Sequence, residues 1–429
     1  MDARVAHNLD MTTPTTAIIP NAFDSDPIRL AWMQGSPPPA DRLIRFADGD
    51  YGSFPKSRWS FSHFRQLMPT TQVARGMGTS SHLASASRTD LDAVTFQELG
   101  TNRTLTWGDA FDANYTDGIV VLHKGKTVYE KYAGALTEDG QHIAYSVTKS
   151  FFGLIGQMLV EEGVLDESAL IQHYIPELAS SAFGNATVRQ VMDMITGLDY
   201  SENYTDPNAH IWSHARAGGI LPKPHGYTGP QSFYEFLQTV KPLGEHGVGF
   251  TYKTINTDVL GWLIRRVTGQ SLGHILSERI WCKLGCEQDA YLTVDTTGTE
   301  FAGGGLNTSL RDLARFGEMM RGNGFYNGQQ IVKSSVISNI TQGANKKHFE
   351  SGGYVTLPGW SYRSMWWISH NEHDAYMARG IHGQAIYIDL KAEMTIARYA
   401  SHHLAGNMLI DPTSLPAYHA LAKHLIENP

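Results

Sequence analysis

Ser146 and Lys149 stand three residues apart in "AYSVTKSFFGLIGQMLVEEG" (144–163). Residues i and i+3 share one face of a helix. A Ser in the first turn sits where backbone N–H groups lack partners and where the helix dipole favours a developing negative charge. A Lys one turn on can take the Ser proton if burial or a neighbouring cation lowers its pKa. The pair therefore has the makings of a nucleophile and its base. Spacing alone leaves a second reading open, a capping Ser followed by a solvent Lys, because roughly one or two S-x-x-K matches arise by chance in a chain this long. There are two here. The other, "SFPK" (53–56), contains Pro55 and precedes no amphipathic run, so it makes a poor helical site.

Ser-Lys chemistry also needs a second polar group near the Ser and a backbone donor for the oxyanion, supplied from a strand. Tyr252 in "FTYKTINTDVLGWL" (250–263) is the candidate for the first; it follows the Gly-rich "GEHGVG" (244–249) and precedes a helix. The Gly-framed "RGIHGQ" segment in "ARGIHGQAIYIDL" (378–390), read as running along a strand, is the candidate for the second.

The elements that must position these residues are legible as patterns. "GIVVLHKGKTVYEKY" (118–132) reads as a hairpin around a "KGK" turn and leads into the Ser146 helix. In that helix Val147, Phe151, Leu154, Ile155, Met158 and Leu159 recur at helical spacing before Gly163. "TDVLGWLIRRVTG" (257–269) and "RDLARFGEMMRGNG" (311–324) read as further amphipathic helices. Strands are expected at 383–390 and 393–400, then a helix from about 416. Strands early and late with helices between predict two lobes. An α/β lobe comprises 54–165 with 286–429, an inserted, mainly helical lobe spans 166–285, and 1–53 forms an N-terminal arm that is partly irregular.

The chain of 429 residues, 41% of them apolar, can bury a large core. Its net charge of −8 argues against nucleic-acid binding. The N-terminus shows no continuous apolar stretch of the kind a secretory leader needs, and no run of about 18 apolar residues occurs. No membrane association is expected, and the expected compartment is the cytoplasm. The two cysteines, Cys282 and Cys286, read as unpaired thiols. The His402–His403 pair lacks ligand spacing to carboxylates and reads as surface histidine, and no metal or cofactor is expected. Asn256 reads as a helix cap. Of Trp366 and Trp367, one reads as core.

Together, "YSVTKS", "YKTINTDVLGW" and "RGIHGQ" resemble the serine β-lactamase and penicillin-binding-protein family, in the class C-like branch that holds the family VIII carboxylesterases and the nylon-oligomer hydrolases. The segments 57–69, 188–207, 293–305, 311–320 and 365–372 extend the likeness, which runs from about residue 54 to the end. The resemblance implies an α/β fold with a central antiparallel sheet and an inserted all-α lobe. It implies Ser146 as nucleophile, Lys149 as the residue sharing its proton, and Tyr252 as the acid that serves the leaving group. It further implies the Ser146 and Ile381 backbone N–H groups as the oxyanion hole and Tyr204 in "SENYTDP" as a tyrosine over the substrate. His382 and Trp366 are expected to border the substrate.

Three positions depart from the family pattern. Thr254 stands where the Tyr-x-Asn motif has Asn. "ARGI" (378–381) replaces the Lys-Thr-Gly strand, so β-lactam turnover is not expected unless Arg379 points inward. Ala215, in "SHAR" (213–216), stands where nylon-oligomer hydrolases carry an acid that holds the substrate's amino end. The expected activity is hydrolysis of a small-molecule carboxylic ester or linear amide through an acyl-enzyme, with ester cleavage the less demanding. Alternatives of the same fold are an acyltransferase and a penicillin-binding-like protein that acylates without turnover. Oligomeric state is not legible; a homodimer is compatible with the chain.

Overall fold

The computed structural model describes residues 19–429. The expectation about a leader, and the first part of the arm, fall outside these residues. Alternating and continuous β-rich runs build a seven-stranded sheet from both ends of the chain. Its strands are β1 (Thr116–His123), β2 (Lys126–Tyr132), β3 (Ser361–Arg363), β4 (Trp366–Ile368), β5 (Tyr376–Gly380), β6 (Gln384–Asp389) and β7 (Met394–Ala400). The order across the sheet is β3-β4-β5-β6-β7-β1-β2, every neighbouring pair antiparallel. All residues of β1, β6 and β7 are buried, as expected of strands covered on both faces. A smaller antiparallel sheet joins Thr70–Val73, Ala290–Thr293, Leu306–Thr308 and His142–Ile143, the last leading to Ser146.

Five helices frame the site: α1 (Val147–Glu161), α2 (His210–Ala217), α3 (Ile255–Thr268), α4 (Leu310–Arg321) and α5 (Asp411–Glu427). From Val147 to Leu159 every residue of α1 is buried, because α1 lies between the sheet and α3. Phe151 of α1 stacks on Phe316 of α4 at 3.7 Å between ring centroids. Burying a side chain of that size contributes roughly 2–3 kcal/mol, which helps hold the Ser146 end of α1 rigid.

The elements differ from the sequence expectation at three places. Helix α5 begins at Asp411 rather than about 416, because Pro412 occupies a first-turn position where its missing N–H costs nothing. The "RGIHGQ" segment does not continue along a strand. β5 stops at Gly380, Ile381–Gly383 make a tight 3₁₀ turn with His382 at φ 62°, and β6 starts at Gln384. Asn256 is not a cap but the second residue of α3; it is buried, accepting from Thr196 Oγ1 at 2.8 Å and donating to the Lys253 carbonyl at 3.1 Å.

Part of the arm folds against the body. Ile44 and Tyr51 join Trp59, Phe61, Phe64, Ile143 and Tyr291 in a second apolar cluster, and the buried Arg58 donates to the Ala22 carbonyl at 3.1 Å. Among the described residues no helix is long and apolar enough to cross a membrane. Cys282 is exposed and Cys286 buried, both as free thiols.

Candidate active site

The chain enters α1 through Tyr145, whose φ of 43° is the left-handed region that an aromatic residue rarely adopts. Such strain persists where surroundings over-determine it. Here the Tyr145 ring is wedged edge-on against Phe61 at 5.0 Å and Phe64 at 6.0 Å. The bend sets Ser146 immediately before the first residue of α1, with Lys149 one turn on.

Lys149 is 1% exposed. Its Nζ donates to Ser146 Oγ at 2.8 Å and to the Gly303 carbonyl. Burial lowers its pKa from the usual lysine range to about 8, although the Glu202 and Asp258 carboxylates pull it upward. Near neutral pH the amine is therefore poised between ammonium and free base. Asp258, on α3, accepts from the Gly303 N–H at 2.9 Å and so holds the carbonyl that Lys149 uses. A Cβ at Gly303 would lie 2.4 Å from Thr254 Cγ2, so only glycine lets this loop approach α3.

Tyr252 precedes α3. Burial, then the Glu202 carboxylate, raises its hydroxyl pKa well above the usual value, while the nearby Ser146 hydroxyl pulls the other way. It is a proton donor at neutral pH. Lys149 Nζ lies 5.2 Å from the centre of its ring, and Trp367 stacks on that ring at 5.5 Å.

At the end of β5, a Cβ on Gly380 would meet the Ala144 carbonyl oxygen at 2.7 Å. Glycine thus lets the strand end lie directly against the chain entering Ser146. Neither the Ser146 nor the Ile381 backbone N–H makes a hydrogen bond to a described protein group. Both residues line the two cavities beside the Ser146 hydroxyl, and a pair of free N–H groups there is the kind of donor set an oxyanion requires.

Two cavities flank Ser146, and Tyr204 and Ile381 border both. The larger, about 390 Å³, is lined by aromatic and apolar groups including Tyr51, Tyr145, Trp212, Ile220 and Phe301, with Ala215 and His382. The smaller, about 220 Å³, is lined by Glu202, Tyr252, Tyr354, Trp367 and Arg379. Arg379 points inward: its guanidinium lies 4.9 Å from the Trp367 ring centre, its Nη2 is paired with buried Asp411 of α5, and its buried Nη1 has no protein partner. Tyr204 donates to Glu202 at 2.9 Å and packs edge-on against Trp212. His382 bonds the His402 carbonyl through Nδ1 at 2.7 Å, and burial lowers its pKa to about 4, so it stays neutral.

Two expectations are corrected here. Trp366 does not border the substrate space. It is fully buried, donates to the Ser150 carbonyl at 3.1 Å and packs on Phe316 and Tyr376; neighbouring Trp367 faces the cavity instead, since successive residues of a strand point to opposite sides. His402 is not a surface residue: it is buried, and His403 lines the larger cavity.

Sequence reasoning missed Glu202 and Asp258. Glu202 accepts from the Thr254 N–H at 2.7 Å and its hydroxyl at 2.6 Å, so Thr254 braces the start of α3 through this carboxylate. The only signal was its place two residues before Tyr204.

A family model described as Beta-lactamase matches residues 110–408. The chain belongs to the beta-lactamase family. It is 33% identical over 368 residues, 83% of this chain and 91% of the relative, to the 6-aminohexanoate-dimer hydrolase of Paenarthrobacter ureafaciens. The solved structure of a Bacillus anthracis protein, provisionally described as a 6-aminohexanoate-dimer hydrolase, superposes with a TM-score of 0.81 at 34% identity, covering 91% of this chain and 99% of that one. A family VIII carboxylesterase shares the fold at a TM-score of 0.52 and 16% identity, covering 73% of this chain and 96% of its own. As a member of this family the chain is a serine hydrolase of β-lactamase-like fold, with the expected central antiparallel sheet.

Proposed function

We propose that this beta-lactamase-family hydrolase cleaves small linear amides and carboxylic esters through an acyl-enzyme on Ser146. The supporting observation is the fully buried Lys149 amine at 2.8 Å from Ser146 Oγ, with its pKa lowered to about 8. Neutral Lys149 takes the Ser146 proton as the hydroxyl attacks the carbonyl carbon. The carbonyl oxygen becomes an oxyanion between the Ser146 and Ile381 N–H groups, each worth on the order of 3 kcal/mol in such a role. Tyr252 then protonates the departing amine or alcohol and is reprotonated through Lys149. Water attacks the acyl-enzyme by the same route in reverse and releases the acid.

Tyr252 borders only the smaller cavity, so the leaving group belongs there and the acyl group in the larger, apolar one. Ala215 in the acyl cavity offers no partner to an ammonium. Acyl chains ending in an apolar group should therefore outperform the 6-aminohexanoate dimer, the substrate named for the Paenarthrobacter relative. A cytoplasmic setting completes the proposal and rests on the two free thiols.

The test follows a short-chain p-nitrophenyl ester and the 6-aminohexanoate dimer side by side with wild type and Ser146→Ala. Ester turnover that vanishes with Ser146, and weak dimer cleavage, is the expected result. Activity retained in Ser146→Ala would overturn the assignment of the nucleophile; dimer cleavage as efficient as ester cleavage would overturn the apolar preference.

A further inference from the structure

Away from both cavities, the loop between β4 and β5 meets the C-terminal helix α5. There Glu372, His373 and His419 each present one ligand-type atom, and the three atoms lie within 4.8 Å of one another. His373 is 4% exposed and its Nδ1 lies 2.8 Å from Oδ2 of Asp389, a fully buried residue of β6. The other oxygen of Asp389 accepts from the Ala392 N–H at 2.8 Å. Asp389 thus engages both oxygens, the His373 nitrogen facing it is the donor, and Nε2 is the ring nitrogen left for a ligand role. The His419 ring lies 4.8 Å from that of His373, and its Nε2 lies 3.3 Å from Glu372 Oε1.

A buried carboxylate fixing one histidine tautomer, a second imidazole facing it and a carboxylate alongside are the parts of a carboxylate-oriented histidine metal site. We propose that Glu372, His373 and His419 bind a divalent zinc-class ion, with Asp389 orienting His373. Two imidazoles and one carboxylate suit zinc and its transition-metal neighbours rather than magnesium or calcium, which prefer oxygen donors. Bonds of about 2.1 Å require neighbouring ligand atoms roughly 3.4 Å apart, so a set spread over as much as 4.8 Å must close by up to about 1.4 Å. The side chains of His419 and Glu372, 34% and 66% exposed, are free to make that movement, while His373 stays fixed. Three protein ligands leave one position for water.

The site would tie α5 to the β4–β5 loop. Eight residues before His419, about 12 Å along the helix, Asp411 opens α5 and holds Arg379 in the wall of the smaller cavity. The ion would thus fasten the helix that fixes that wall without touching the reacting groups. The ligands are scattered along the chain, 46 residues separating His373 from His419, which is why no spacing motif announces them.

The test titrates zinc chloride into metal-free full-length protein by calorimetry, with thermal melts in parallel. Wild type should take up one zinc per chain and melt at a higher temperature with zinc than with chelator. Glu372→Gln combined with His419→Ala, both at the surface, should weaken binding at least tenfold and remove the zinc-dependent rise. Asp389→Asn should weaken it roughly 10- to 100-fold. Absence of one-to-one uptake by wild type overturns the proposal, as does a Glu372→Gln/His419→Ala protein that binds zinc as tightly as wild type.

Discussion

The two cavities on either side of Ser146 are built on opposite principles. The larger is walled by Tyr51, Tyr145, Trp212, Ile220 and Phe301 and offers shape and apolar surface. The smaller gathers Glu202, Tyr252, Tyr354 and Arg379, with charges, hydroxyls and hydrogen bonds already in place. Apolar walls discriminate weakly, about 10- to 200-fold per methylene, whereas buried polar groups discriminate sharply because a wrong partner leaves them unpaired. Under the proposed mechanism this division puts proton handling on one side and tolerance of varied chains on the other. It also explains how Ala215 can occupy the larger side without disturbing the catalytic group.

Ser146→Ala removes the group both cavities share and should lower kcat on every substrate by roughly a million-fold, with an unchanged melting temperature showing an intact fold. Tyr252→Phe should cut amide hydrolysis by roughly 10²- to 10⁴-fold and p-nitrophenyl ester hydrolysis far less, because nitrophenolate leaves without a proton. Equal losses on the two substrates would contradict the placement of the leaving group beside Tyr252. Gly380→Ala should press the strand end away from Ala144, separate the two free N–H groups and lower kcat about 10²- to 10³-fold on ester and amide alike.

Smaller effects probe each cavity separately. Ala215→Asp should raise dimer cleavage about tenfold through pairing with the amino end and leave an uncharged ester unaffected, as read from kcat/KM for both. On the polar side the pH profile carries the signal. With neutral Lys149 as the proposed base, kcat/KM should rise with pH and level off above about 8. Glu202 holds the Lys149 pKa up; Glu202→Gln should therefore move that limb to lower pH, by under about one unit, whereas a change such as Trp212→Phe in the larger cavity should leave it in place.

The legibility of the two cavities from sequence differs for a physical reason. Ser146, Lys149 and Tyr252 lie at helix starts, where short-range spacing and local unpaired N–H groups carry the signal. The polar support behind them is long-range: Glu202 braces Thr254 across 52 residues, Asp258 reaches Gly303 across 45, and Asp411 reaches Arg379 across 32. No local pattern encodes such pairings. Trp366 and Trp367 are alike in sequence, and only the phase of β4 against the sheet separates core from cavity. From sequence His402 and His403 read as surface residues, because nothing near them in the chain shows that it folds back over His382.

By itself the sequence determined the periodic elements, the helix that presents Ser146 and Lys149 on one face, and the order of motifs that carries the family likeness. These follow from local geometry, since i and i+3 share a helix face whatever surrounds them. The tertiary structure decided what that geometry is worth. It buried Lys149 so that desolvation brings its pKa to about 8, laid Gly380 against Ala144 so that two free N–H groups share one cavity mouth, and set an apolar chamber against a polar one. Desolvation and close approach belong to the packed molecule, because each depends on residues that meet only when distant parts of the chain come together.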